Sequence, residues 1–171
     1  MRIIHGYCKT ITEINRWLAI AVSSLVFIMV AAISYEVVAR YFFDAPTVWA
    51  LELSTLLLGP YFLLAGPYFL HTAGHVNVDI LYSKLSPRWA ALADTGIYTV
   101  IVVISCVLIY QSIPIAENAI ASGETSFSSW NPAIWPVKTL IPIAFSLLLL
   151  QSVAELFAAI QRISDTGEAK A

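Results

Sequence analysis

Glu36 and Arg40 stand four residues apart, Glu52 follows across a short polar break, and His71, His75 and Asp79 repeat at i, i+4 and i+8. Each set has a chemistry to offer. A carboxylate one turn ahead of a guanidinium forms an ion pair on one helix face, and carboxylates inside membranes build ion or proton relays. Two histidines and an aspartate on one face have the spacing of metal ligands. They lack the glutamate of an HExxH zinc-protease helix. A haem would need histidines facing one another from different helices, and the other long apolar segments contain none. The plainer reading is a polar helix end, with His75 pairing Asp79. Cys8 precedes the first apolar run and Cys106 lies deep in the third, so neither a disulfide nor a cysteine zinc site is expected. The chain has no Gly-rich phosphate loop, no nucleophile elbow and no Ser/His/acid or Cys/His set that a hairpin would assemble. It does not read as an enzyme.

The elements that must carry these residues are apolar. Hydrophobic residues make up 59% of the chain, charged ones 12%, and the mean hydropathy is +0.79. A soluble domain carries about twice that charged fraction. The net charge of −2, with no basic stripe, gives no sign of nucleic-acid binding. Four runs near 17–39, 47–70, 89–112 and 135–159 have the length of spanning helices. Residues 1–16 read as a short amphipathic helix on the membrane surface. A signal peptide is the competing reading of the first run, but its apolar region would be shorter, about 7–15 residues, so an uncleaved helix is expected. In the second run Gly59-Pro60-Tyr61-Phe62-Leu63 recurs as Gly66-Pro67-Tyr68-Phe69-Leu70, which puts two kinks on nearly one face. Residues 71–88 suit a short interfacial helix, 113–134 a polar loop, and 163–171 a disordered tail.

Positive charges orient the spans. Arg2, Lys9, Arg16, Lys84, Arg88, Arg162 and Lys170 fall on one side, and only Arg40 and Lys138 on the other. The positive-inside rule then puts both termini in the cytoplasm. The expected fold is an all-α membrane protein: one domain of four transmembrane helices, N-in and C-in, with short interfacial helices, packed as a compact antiparallel bundle. Glu36 and Glu52 lie about 10 Å from the midplane of their spans, within reach of the outer surface. Arg40 could meet either one, and an Arg40–Glu52 clamp across the first hairpin is expected. Asp94 and Glu155 read as inner anchors within reach of Arg16, Lys84 or Arg88, and Lys138 as an outer one. With no inverted repeat and four short-looped helices, a complete transporter is not indicated.

Three stretches carry a family resemblance. They are VVARYFFDAPTVWALELS with Arg40, Trp49 and Glu52; HTAGHVNVDILYSKLSPR with His75, Val76 and Asp79; and the GETS loop containing Glu124, followed by Trp135-Pro136 and Pro142. In this order and placement the chain resembles the small membrane subunit, DctQ type, of tripartite ATP-independent periplasmic (TRAP) transporters. The resemblance implies a bacterial inner-membrane location and two partners. One is a large polytopic subunit that carries substrate and sodium sites and moves in an elevator-like way. The other is a periplasmic binding protein that delivers an organic acid. The small subunit braces the first and helps dock the second, with membrane lipid around it, and it needs no cofactor, metal or substrate site of its own. Glu36, Arg40, Trp49, Glu52, His75, Asp79, Glu124, Trp135 and Lys138 are then structural or interface residues. The doubled GPYFL makes the second helix richer in proline than the family pattern. The rival readings are a haem- or quinone-linked anchor of a respiratory complex and a small stand-alone transporter.

Overall fold

Hydrocarbon offers the backbone no hydrogen bonds, so an apolar chain must satisfy its own, and a helix does so within each segment. The computed structural model describes residues 2–73 and 87–168. Among these are helices α1 (Arg2–Ser23), α2 (Leu25–Phe42), α3 (Ala50–Ala73), α4 (Pro87–Ser122) and α5 (Trp135–Glu168), with one isolated bridge, Thr125 to Ala133, and no strand. Four segments are long and apolar enough to cross a membrane: Gly6–Phe42, Ala50–Thr72, Trp89–Ser122 and Trp135–Ile163. The protein is an all-α membrane protein of four spans.

The first span consists of α1 and α2, joined at Ser23-Ser24. There the Ser24 amide donates to the Ala21 carbonyl (3.3 Å), the Phe27 amide donates to Ser24 O (3.1 Å), and both serine hydroxyls donate to upstream carbonyls at 2.7 Å. Serine hydroxyls that compete for helix carbonyls tighten and bend the turn. The buried seam runs straight through this joint, with Asn15, Val22, Met29 and Glu36 at every seventh position. The surface helix expected over residues 1–16 is therefore corrected. Those residues belong to α1, which packs on α3 and α5, because its seam residues find partners there. Asn15 bonds Gln151, and the Tyr7 hydroxyl donates to Leu150 O at 3.0 Å.

α3 lies centrally, against α1, α2 and α5. Pro60 and Pro67 are both buried, so the two kinks do share the inward face. Leu64 and Ala65 join Ala19, Val22 and Ala144 in the hydrophobic core. A Cβ at Gly59 would meet Val137 Cγ1 at 3.6 Å, an ordinary contact, so α3 and α5 approach closely there.

α4 buries Ala91, Tyr98, Ser105, Ser112 and Ala119, again every seventh residue. Small side chains at a seven-residue repeat bring two helices close together with coiled-coil geometry. α5 answers with Ala144, Gln151, Ser152, Ala154 and Ala159. α4 packs chiefly on α5, and α2 chiefly on α3. The first, second and fourth spans thus pack on one another through α1, α3 and α5, and the third lies to one side, chiefly on the fourth. In keeping with this, only 17% of the 18-residue apolar stretch within Trp89–Ser122 is buried within the chain.

Two boundaries differ from expectation. Residues 113–122, read as loop, continue α4, which at 36 residues is about 54 Å long. Pro114 costs the helix one hydrogen bond, while Ala116 and Ala119 pack inward beyond it. Termination comes at Gly123, with φ +58°: its amide donates to Ile120 O (3.1 Å) and the Glu124 amide to Ala119 O (3.0 Å), the paired bonds of a Schellman cap. The tail expected to be disordered from 163 is helical through Glu168. No proline or glycine interrupts it between Ala159 and Thr166, and Arg162 reaches Asp94 at 3.7 Å. The short helix expected within 71–88 falls largely outside the described residues.

Candidate functional site

Polar side chains gather at the two ends of the spans. At one end the turn from α2 to α3 is built on Glu36. Its buried carboxylate accepts from Arg40 Nε at 2.8 Å and from the Thr47 amide at 2.9 Å, and also from an Arg40 terminal nitrogen and the Thr47 hydroxyl. Asp44 takes the left-handed conformation (φ +50°) that reverses the chain, and the Ala45 amide donates to Ala39 O at 3.0 Å. Tyr35 and Trp49 stack across the turn at 5.7 Å. Glu36 thus holds the start of α3 to the end of α2.

The expected Arg40–Glu52 clamp is corrected by this arrangement. Arg40 bonds Glu36, one turn earlier on its own helix, where side-chain reach is shortest. Glu52 instead accepts from the Ser128 hydroxyl at 2.6 Å, tying α3 to the α4–α5 connection. That connection is ordered by its own bonds. Glu124 accepts from Lys138 Nζ at 2.6 and 2.7 Å, and its carbonyl accepts from the Ile134 (2.9 Å) and Trp135 (3.3 Å) amides. The Ser126 amide donates to Pro132 O at 3.0 Å. Phe127 and Asn131 both take left-handed φ values, +54° and +51°. Trp135, partly exposed, starts α5 beside them.

At the other end a polar chain links α1, α3 and α5. Asn15 Nδ2 donates to Gln151 Oε1 (2.8 Å), and Gln151 Nε2 donates to Thr12 Oγ1 (3.1 Å) and Glu155 Oε1 (2.9 Å). His71 Nδ1 lies 2.5 Å from the same Glu155 oxygen. Cys8 Sγ donates to Ala154 O at 3.5 Å. Of the carboxylates read as inner anchors, Glu155 lies against His71 and Asp94 lies 3.7 Å from Arg162, while Arg16 lies 3.6 Å from Glu13 on its own helix. The expected sites His75 and Asp79, with Lys84, lie outside the described residues.

Sequence reasoning passed over Asn15 and Gln151, the two largest side chains among the fully buried ones. It looked for charge, and amides carry none. The available signal was positional: Asn15 begins the seven-residue seam, and Gln151 lies seven residues after Ala144 in an otherwise apolar run.

The two ends are separated by the length of a bilayer core. Glu52 to His71 on α3 and Lys138 to Glu155 on α5 are about 25–30 Å of helix. Among the described residues no Asp, Glu, Lys, Arg or His lies between these limits on any span. The hydroxyls there mostly return to their own helix, as Ser54 does to Ala50 O (2.9 Å) and Ser146 to Pro142 O (2.7 Å). Such an arrangement fastens helices at both faces and offers no stepwise route for a charged solute between them.

A family model described as "Tripartite ATP-independent periplasmic transporters, DctQ component" matches residues 29–162, taking in all but the start of α2, all of α3 and α4, and α5 to Arg162. A search of curated proteins found no match. On the extent of the family match, the chain belongs to the DctQ family, the small membrane component of TRAP transporters.

Proposed function

We propose that this chain is the static brace of its transporter. In this reading both termini are cytoplasmic, in accord with the positive-charge count. The end built on Glu36, Glu52 and Glu124 then faces the periplasm, and the end built on Gln151, His71 and Glu155 faces the cytoplasm. The large membrane subunit carries the substrate and sodium sites and does the moving. The exposed apolar faces of α2 and α4 lie against that subunit or against lipid, and the periplasmic end helps dock a binding protein that delivers an organic acid. Trp49, Trp135 and Lys138 fix the depth of the spans at the outer surface, with His75 and Asp79 doing so at the inner one.

One observation carries this reading: polar groups hold the helices at both ends, with no Asp, Glu, Lys, Arg or His between them among the described residues. A subunit that bound and moved an organic anion would need positive or hydrogen-bonding groups within the barrier. The test is uptake of a labelled organic acid into proteoliposomes under an inward sodium gradient, with the binding protein present. The pair of membrane subunits should accumulate it, and each alone should not. Accumulation by this chain alone would overturn the reading.

A further inference from the structure

Phe127 combines two unfavourable features. Its ring is 87% exposed, and its backbone holds a left-handed φ of +54°, a region that residues with a Cβ seldom adopt. A bulky residue in such a conformation persists only when its surroundings impose it. They do so here. The Phe127 amide donates to Asn131 Oδ1 (3.0 Å), and the Asn131 amide donates to Ser128 Oγ (2.9 Å). The Ser126 and Ser128 hydroxyls meet at 2.8 Å, and Ser128 Oγ donates to Glu52 Oε2 (2.6 Å). The ring is thus presented by a loop pinned to two helices and also to a third, α3.

We infer that Phe127 is the anchor by which this chain grips the periplasmic binding protein, its ring entering an apolar pocket with a basic rim on that protein. The inference rests on the reading above that the α4–α5 connection faces the periplasm. A loop already held in one shape loses little conformational freedom on binding, which suits a soluble partner that must dock and leave repeatedly. The rim's charge follows from what surrounds the loop. Glu36 and Glu124 are taken by Arg40 and Lys138, whereas the exposed Asp44 and Glu117 have no ion pair among the described residues, and Glu52 has only a hydroxyl. That excess of acid steers a basic surface towards Phe127. A ring that merely sat in lipid at the membrane surface would need neither the left-handed backbone nor the serine and asparagine residues that enforce it.

The experiment uses the complete membrane complex in nanodiscs and its purified binding protein, with affinity measured at two salt concentrations. Phe127→Ala should weaken binding about 30-fold, the scale of a central interface aromatic. Phe127→Gly should weaken it as much although it relieves the backbone, Phe127→Trp should stay within about threefold of wild type, and wild-type affinity should fall with salt. Wild-type affinity in Phe127→Ala overturns the inference. So does a loss that appears only as dissociation or melting of the membrane complex, which would make the ring a lipid anchor. A bulky thiol label on Ser129→Cys, in a background with Cys8→Ser and Cys106→Ser, separates the two layers of argument. If the label blocks binding while Phe127→Ala does not, the connection docks the partner without this anchor. If neither has an effect, docking at this face fails as well.

Discussion

Gln151→Leu is the substitution with the most predictable cost. The side chain is fully buried and makes three hydrogen bonds, to Asn15, Thr12 and Glu155. Leucine fits the space but makes none of them. Those to Asn15 and Thr12 cross between helices, where such bonds average about 0.6 kcal/mol, and that to Glu155 lies within α5, so losing all three costs about 1–2 kcal/mol. Asn15 is also stranded: its Oδ1 already has no partner among the described residues, and its Nδ2 would join it, adding about 1 kcal/mol. A loss of about 2–3 kcal/mol is therefore expected, read as a lower midpoint when the purified chain is unfolded with SDS in mixed micelles and followed by tryptophan fluorescence. The double variant Asn15→Ala with Gln151→Leu should recover the stranding part, about 1 kcal/mol, because replacing both partners with apolar groups leaves neither amide unpaired. Glu155 keeps His71 in either background. A Gln151→Leu midpoint equal to wild type would refute the reasoning, and so would a double variant less stable than the single one.

Other expectations can be checked on the same preparation. The effects of Arg40→Ala and Glu52→Ala should add within about 0.5 kcal/mol, since the two residues belong to separate bonds, while Arg40→Ala and Glu36→Ala should couple in a double-mutant cycle. Gly123→Ala should cost about 1 kcal/mol, because alanine resists the left-handed cap that ends α4; an unchanged midpoint would count against that cap. Lys138→Met should cost no more than about 1 kcal/mol, as its pair with Glu124 is part-exposed, yet it should quicken limited proteolysis within 123–134.

How far the sequence disclosed all this depended on the kind of signal. Four spans were legible because burial in hydrocarbon demands long apolar runs, and no local detail alters that. That Pro60 and Pro67 share one face of α3 was legible as well, since they lie two turns apart, though not that this face is the buried one. Pair identities were harder. Glu36, Arg40 and Glu52 all stand near one turn, and only three-dimensional placement shows that Ser128, 76 residues further on, claims Glu52. The polar appearance of Glu117 and Asn118 hid the continuation of α4, although Ala116, Ala119 and the stop at Gly123 were there to be read. Which spans neighbour one another depends on which seam meets which, and four apolar spans fit several such arrangements equally well.

The central claim is that this chain does not move while the transporter works, and a covalent lock tests it most directly. Gly59 and Val137 face each other across α3 and α5, with a Cβ at 59 lying 3.6 Å from Val137 Cγ1, close to disulfide range. Gly59→Cys with Val137→Cys, in a chain carrying Cys8→Ser and Cys106→Ser, should cross-link under mild oxidation. Uptake by the complete complex under an inward sodium gradient, as in the proposed reading, is then measured before oxidation, after it, and after reduction. A static brace predicts the same rate in all three states. Uptake lost on oxidation and regained on reduction would show that α3 and α5 must move apart, and would contradict the account.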